Sequence, residues 1–174
     1  MIKAALEVIN AMQAAGVIGR YAIGGAVAAT FYLEPAATVD LDIFVQLPTA
    51  VKGALVSLKP IYDYLEGQGC RSSGEYIVVA EWPVQFLVPA SSLELDAVAT
   101  ATRVQVEGTF TWVISAEHLV AIALQTGRIK DYNRILQFLE LKKIDHTTLR
   151  DVLKRHALIQ KWQQFEAQYL RGRH

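Results

Sequence analysis

The chain has 174 residues, of which 52% are apolar and 20% are charged, and its 17 Lys and Arg residues balance 17 Asp and Glu residues. This length and composition allow one domain with a substantial core and exclude a largely disordered chain. Nonspecific nucleic-acid binding depends on an excess of basic side chains. The balanced charge therefore gives no strong nucleic-acid signature.

Three features of the sequence predict a cytoplasmic protein. The single cysteine, Cys70, cannot form an internal disulfide, which fits a reducing compartment. No apolar run approaches the roughly 20 residues that a membrane-spanning helix requires. Residues 1–15 have the pattern of an amphipathic helix and lack the features of a signal peptide. We therefore expect no membrane partner.

The first part of the chain alternates helix and strand patterns. Apolar residues at helical spacing predict a helix that stops at Gly16, and Tyr21–Ile23 has the pattern of a short buried strand. Small residues predict a helix over Gly25–Tyr32, and a strand is predicted at Asp40–Leu47. The next helix is predicted at Ser57–Gly67, with a proline near its start.

Two hairpins are predicted in the middle of the chain. Tyr76–Ala80 and Val84–Val88 are rich in strand-forming residues, and a Glu-Trp-Pro sequence separates them. Val104–Val106 and Phe110–Ile114 flank Glu107-Gly108, which is a second turn signal.

Helical patterns dominate the C-terminal third. Ser91 and Glu94 have the spacing of a capping box and predict a helix up to Ala99. From Ser115 onward the apolar period is helical throughout. The predicted helices run from Ser115 to Gly127, over Ile129–Leu141, after Asp145, and through Ile159, Trp162 and Phe165. We therefore expect an α/β (α+β) core at residues 1–114 and a helical segment, packed on it, at residues 115–174.

One pattern carries a prediction about chemistry. Tyr21–Ile23 leads into Gly24 and Gly25, and after a helix-length gap Asp40 and Asp42 lie one residue apart in a strand pattern. Side chains alternate along a strand, so both carboxylates face the same way, roughly 6–7 Å apart along the chain. A divalent cation with oxygen ligands would relieve their repulsion. Backbone N–H groups at a Gly-Gly helix start can bind an anion. An anion site beside two carboxylates that bind a metal predicts a metal-bound nucleoside triphosphate.

The arrangement resembles a known family. Gly24-Gly25, a helix and then Thr38-x-Asp40-x-Asp42 on the next strand are similar to the nucleotidyltransferase superfamily of DNA polymerase beta. The closer resemblance is to its small bacterial branch, which includes minimal nucleotidyltransferases and the transferase components of toxin–antitoxin and abortive-infection systems. Ser115-Ala-Glu-His-Leu followed by Arg128-Ile-Lys-Asp resembles the helical segment after the catalytic sheet in that branch.

The resemblance implies a nucleotidyltransferase-like mixed sheet flanked by helices, with a C-terminal helical segment. It implies transfer of a nucleoside monophosphate from a nucleoside triphosphate to an acceptor hydroxyl, with release of pyrophosphate, supported by Mg²⁺ or Mn²⁺. The acceptor stays open. The implied nucleotide-binding residues are Gly24, Gly25, Thr38, Arg128 and Lys130, and the implied metal-binding and catalytic residues are Asp40 and Asp42.

Some positions depart from the family pattern. Gln85 occupies the place expected for a third carboxylate; an amide can offer an oxygen to a metal but cannot act as a base. Ala36 and Ala123 stand where relatives often carry Arg and Lys, and Glu81 is a candidate substitute acid. The alternative is therefore a catalytically weakened protein that binds nucleotide or a partner protein, for example in a toxin–antitoxin pair.

Structural explanations for the same residues stay open. Gly24-Gly25 can be a tight strand-to-helix turn, and the paired acids can be a solvated strand edge. Arg128, Lys130 and Asp131 can serve only as a helix cap and surface ion pairs. The apolar stripe of the last helix suits a core, a homodimer or a partner helix equally well.

Overall fold

The computed structural model describes residues 2–34, 40–48 and 56–171. The strands are β1 (Tyr21–Ile23), β2 (Leu41–Val45), β3 (Arg71–Ser73), β4 (Tyr76–Val79), β5 (Trp82–Leu87), β6 (Thr102–Val106) and β7 (Thr109–Val113). The helices are α1 (Ile2–Ala14), α2 (Gly25–Ala29), α3 (Lys59–Gly67), α4 (Ser92–Ala99), α5 (Ala116–Thr126), α6 (Ile129–Glu140), α7 (His146–Arg155) and α8 (Ile159–Tyr169).

The strands form one mixed sheet in the order β3-β4-β5-β2-β1-β7-β6. β2 lies at its centre, antiparallel to β1 and parallel to β5. All residues of β2 except Asp42 are buried, because strands flank β2 on both edges and helices cover it. Asp42 therefore interrupts an otherwise apolar central strand.

Helices surround this sheet. α1 buries Ala5, Leu6, Ile9 and Met12, which recur at helical spacing, and it contacts β4 and β7. α2 and α4 contact β2, and α5 contacts both of them as well as α6, α7 and α8. Among the described residues, no helix is long and apolar enough to cross a bilayer. α5 thus forms the link between the sheet and the C-terminal helices.

The predicted caps of the helices are confirmed. The Ser91 hydroxyl accepts a hydrogen bond from the backbone N–H of Glu94, and the Glu94 carboxylate accepts one from the backbone N–H of Ser91. Ser115 begins α5, and Gly127 ends it with a φ of 72°, in the left-handed region that favours glycine. Asp145 begins α7 by accepting from the N–H of Thr148. These signals are local in sequence, and the structure follows them.

Three differences from the predicted elements go beyond a shift of one or two residues at an end. α2 ends at Ala29, and a turn replaces the rest of the predicted helix. β3 was not predicted, because its Arg-Ser-Ser sequence is polar and exposed and it pairs only as an edge strand with β4. The Glu-Trp-Pro connection was placed wrongly: Val79 pairs with Trp82, so Ala80 and Glu81 form a two-residue turn and the proline lies in β5.

One carboxylate joins three helices away from the sheet. Oδ2 of Asp96 on α4 lies 3.1 Å from Nε2 of His118 on α5 and 3.0 Å from Nε2 of His156, and it accepts a hydrogen bond from Arg155. The Nδ1 atoms of the two histidines lie against Ser115 and Ser92, at 2.8 and 3.1 Å. We call these residues the Asp96 cluster. It gives His118, a candidate of the family pattern, a structural role.

The Asp96 cluster makes stability depend on pH. Burial opposes ionisation of Asp96, but hydrogen bonds from His156 and His118 outweigh it and hold the pKa of Asp96 at about 2, below the ordinary value of 3.8. The unfolded chain therefore takes up this proton first as pH falls.

We expect the Asp96→Asn variant to show a weaker dependence of stability on pH. The stabilisation from Asp96 is fully present above about pH 4 and is lost as pH falls toward 2. The free energy of unfolding, measured with urea between pH 6 and 2.5, should thus fall less steeply in the variant than in the wild type. Equal slopes for the two proteins would contradict this account.

We also expect a better turn sequence between β4 and β5 to stabilise the protein. Ala80 and Glu81 have φ values of 47° and 72°, a conformation that costs non-glycine residues about 1–2 kcal/mol each. Ala80→Asn with Glu81→Gly should raise the midpoint of thermal unfolding by roughly 2–4 °C per kcal/mol gained. Gly108→Ala is the matched control, since Gly108 has a φ of 87° and open space around it, and it should lower the midpoint.

Candidate functional site

Asp42 and Gly25 meet at the start of α2. The Asp42 carboxylate lies so close to the α-carbon of Gly25 that a β-carbon there would overlap Oδ2. Gly25 also has a φ of 58°, in the left-handed region. Both facts require glycine at this position. The Gly-Gly turn therefore places a carboxylate directly over the first residue of a helix.

Gly24 has a different role in the same turn. A β-carbon at Gly24 would lie 2.5 Å from the ring of Phe44, so the missing side chain makes room for an aromatic residue of β2. The N–H of Gly24 donates to the carbonyl of Asp42 at 2.9 Å and extends the pairing of β1 with β2. The N–H groups of Gly25, Ala26 and Val27 follow in the first turn, where no carbonyl of α2 can reach them. These three groups, rather than that of Gly24, face the start of the helix.

A row of polar side chains crosses the sheet beside Asp42. Asp42 pairs in register with Gln85 on β5, so the two side chains share one face. Ile77 pairs with Val84, and continuing that register by one residue places Tyr76 of β4 opposite Gln85. The hydroxyl of Tyr76 donates to Oδ2 of Asp40, at 3.4 Å. Gln85 therefore stands next to Asp42, with a phenol beyond it.

Glu81 does not reach this row. It lies in the turn between β4 and β5, four residues before Gln85 along the chain. At the rise of an extended strand this separation is about 13 Å. The position of Glu81 therefore gives no support to a role as substitute for the third carboxylate.

Charges around Asp42 oppose one another. Burial raises the pKa of Asp42 first, and the nearby charge of Asp40 raises it further. Arg134, Lys130 and Arg128 act in the other direction and favour the ionised carboxylate. All three cations come from α6 and the residue that precedes it. The C-terminal helices thus bring positive charge to a half-buried acid of the sheet.

A pocket of about 160 Å³ lies between the sheet and the C-terminal helices. Of the predicted site residues it brings together Gly25, Asp42 and Arg128, while Gly24, Asp40, Gln85 and Lys130 lie outside its lining. Thr38 and Ala36 lie outside the described residues. The full lining is Gly25, Asp42, Phe44, Leu87, Glu94, Leu119, Ile122, Ala123, Thr126, Arg128, Asp131 and Arg134.

Arg128 is held by Asp131 at the start of α6. Nε and Nη2 of Arg128 donate to the two carboxylate oxygens of Asp131, at 2.7 and 3.2 Å, and the backbone N–H of Arg128 donates to Oδ2 at 3.2 Å. Asp131 is only 2% exposed. Hydrogen bonding to Asp131 raises the pKa of Arg128. The predicted capping role is thus present, and the same contacts fix the guanidinium at the pocket wall.

The acidic residues of the site suit a hard divalent cation. Asp40 and Asp42 offer carboxylate oxygens, and Gln85 can add an amide oxygen beside them. The raised pKa of Asp42 is the expected property of an acid that a bound cation would stabilise in its ionised form. Among the described residues, no three His, Cys, Asp or Glu side chains form a metal-binding group. The donor set therefore fits Mg²⁺ through two carboxylates.

Sequence reasoning missed two residues of the site. Arg134 lies one helical turn beyond Asp131, so the helical period could have placed it on the same face of α6. Tyr76 could not be found in this way, because its position beside Gln85 depends on the pairing of β4 with β5. Arg134 lies outside the Arg-x-Lys-Asp motif, and Tyr76 is far along the chain from Asp42.

Comparison with solved structures identifies the fold. An antigenic nucleotidyltransferase-like protein from Paracoccidioides brasiliensis has a similar structure, with a TM-score of 0.51 and 17% sequence identity over 95% of this chain and 90% of that one. The antibiotic-resistance factor ANT(2'')-Ia gives a TM-score of 0.46 and 15% identity over 94% of this chain and 99% of its own. No protein-family model and no curated protein matches the sequence. The first likeness confirms the predicted nucleotidyltransferase-like fold.

We expect Gly25→Ala to destabilise the protein by more than backbone strain alone. Gly16→Ala is the matched control, because Gly16 has a φ of 74° and nothing within 4 Å of a β-carbon, so its cost of about 1–2 kcal/mol reports strain only. Urea unfolding measures both. In an Asp42→Ala background the cost of Gly25→Ala should fall toward that of Gly16→Ala. An unchanged cost there would show that the Asp42 carboxylate is not the obstacle.

Proposed function

We propose that the chain binds a nucleoside triphosphate with Mg²⁺ or Mn²⁺ and transfers the nucleoside monophosphate to an acceptor hydroxyl. The observation that supports this most is the carboxylate of Asp42, held over Gly25 in a pocket that also contains Arg128. An α/β part up to residue 114 supplies the carboxylates, and a helical part from residue 115 supplies the cations.

Each group of the site has a task in this proposal. Asp40 and Asp42 hold the divalent cation, which when bound would offset phosphate charge and polarise the reacting oxygens. The free N–H groups at the start of α2, beginning with Gly25, receive phosphate oxygens. Arg128 and Lys130 add positive charge at the pocket and its rim. Gly24 supports the turn, and Thr38 is retained as a nucleotide-binding residue from the resemblance.

A second candidate is a protein of this fold that binds nucleotide or a partner protein but transfers weakly. The observation that favours it is Gln85, which lies in register with Asp42 at the place expected for a third carboxylate. A neutral amide cannot accept the proton of an acceptor hydroxyl. A partner protein, as in the toxin–antitoxin branch that the sequence resembles, or a homodimer belongs to this candidate.

We expect thermal unfolding to report the ligand. ATP, GTP, CTP or UTP at about a hundred times its Kd should stabilise the wild type by roughly 2.7 kcal/mol, or about 5–10 °C, when Mg²⁺ is present. Asp42→Asn should abolish the shift, because it removes a charged ligand of the cation. Without metal, the variant should be at least as stable as the wild type, since the folded protein raises the pKa of Asp42 and its ionised form costs stability above that pKa.

Two further results decide between the candidates. Transfer is tested by release of pyrophosphate from the stabilising nucleotide, with wild type and Gln85→Glu compared. Faster release in Gln85→Glu would favour the weakened protein, and release by the wild type that falls on substitution would favour the enzyme. The absence of any shift with all four nucleotides would overturn nucleotide binding in both candidates and leave only the binding of a partner protein.

A further inference from the structure

Arg134 is the one cation of the pocket whose hydrogen-bonding groups are not used by the protein. Among the described residues it makes no hydrogen bond and no ion pair, and its charge acts on Asp42 through space. It is nevertheless half-buried and lines the pocket. A guanidinium has five N–H donors in a fixed plane. No buried side-chain nitrogen of the described residues lacks a partner, so the donors of Arg134 are open to solvent and available to a ligand in the pocket.

Two of the three acids that line the pocket already have partners. Asp131 accepts the bidentate contact of Arg128, and Glu94 accepts from the backbone N–H groups of Ala90 and Ser91. Asp42 is the remaining carboxylate in the pocket lining, and it lies beyond hydrogen-bonding distance of Arg134. The space between them is therefore bordered by a cation on one side and an acid on the other.

Arg128 is less suited to bind an added anion. Its guanidinium already donates twice to Asp131, and its side chain is 59% exposed. α5 contributes Ala123 to the same lining, and this residue carries no charge and is only 5% exposed. Positive charge inside the pocket thus comes chiefly from α6, one turn after the predicted Arg-x-Lys-Asp motif.

We propose that Arg134 is the principal phosphate-binding residue of this pocket and provides, from α6, the positive charge that Ala123 leaves out on α5. This rests on the proposed function, because the anion is the phosphate chain of a bound nucleotide. A guanidinium can donate two parallel hydrogen bonds to a phosphate group, which suits a planar side chain fixed by a helix. A cation between Asp42 and the same phosphate group would complete the arrangement from the acidic side.

The test compares affinities for three probes. Isothermal titration calorimetry with Mg²⁺ present gives Kd values for ATP, inorganic tripolyphosphate and adenosine in wild type, Arg134→Met and Arg134→Lys. We expect Arg134→Met to weaken ATP and tripolyphosphate by tenfold or more and to leave adenosine unchanged. Arg134→Lys keeps the charge but loses the planar pair of donors, so its Kd values for ATP and tripolyphosphate should lie between those of the wild type and Arg134→Met.

Two further variants distinguish direct phosphate binding by Arg134 from a general effect of positive charge on the protein. Arg150→Met on α7 removes the same charge from an exposed position outside the pocket and should leave all three affinities unchanged. Arg128→Met should weaken ATP less than Arg134→Met does, because Arg128 is already committed to Asp131. If Arg134→Met does not fold, Arg134→Gln replaces it.

The outcomes distinguish this inference from the proposed function. ATP binding that is equal in wild type and Arg134→Met overturns the role of Arg134 and leaves nucleotide binding in place. If the wild type binds tripolyphosphate but not ATP, and Arg134→Met loses tripolyphosphate binding, the phosphate-binding role of Arg134 is supported and nucleotide binding is overturned. Binding of neither probe to the wild type overturns both.

Discussion

The structure depends on how it accommodates one acid in the middle of an apolar strand. Asp42 lies between buried neighbours on β2, and burial together with Asp40 makes its ionised form costly. Two features limit this cost: the bare α-carbon of Gly25 leaves space for the carboxylate, and α6 brings cations toward it. The packing of the helices that follow the sheet is thus coupled to the negative charge of Asp42. A helical segment that packed elsewhere would leave the acid uncompensated.

Features that are local in sequence could be predicted. The capping box of Ser91, the cap of Ser115 and the end of α5 at Gly127 depend on contacts within a few residues, and all three are found as expected. Both hairpins were predicted, but the turn between β4 and β5 was predicted too late in the chain. The pairing of Val79 with Trp82 decides where the chain reverses. Strand order and register involve residues far apart, and no local pattern determines them.

The candidate site shows the same contrast between features that are local in sequence and contacts between distant residues. Strand alternation predicts from the sequence that Asp40 and Asp42 share a face, and in the structure Asp40 immediately precedes β2. The position of Gln85 beside Asp42 agrees with the expectation from the family pattern, whereas Tyr76 is brought there only by the pairing of β4 with β5. Arg134 was within reach of helical periodicity but belongs to no motif. Tyr76 and Arg134 are thus candidate site residues that the family resemblance does not include.

The packing of the glycine pair changes how related sequences should be compared. Gly24 leaves space for the ring of Phe44, and Gly25 leaves space for the Asp42 carboxylate, so selection for folding alone would retain both residues. A descendant that had lost catalysis would keep Gly-Gly as long as its β2 side chains were unchanged. The dipeptide therefore marks common descent better than it marks activity. Exchange at position 42, where the acid has a cost and packing alone gives no reason to keep it, is the more informative sign of whether a lineage retains the proposed chemistry.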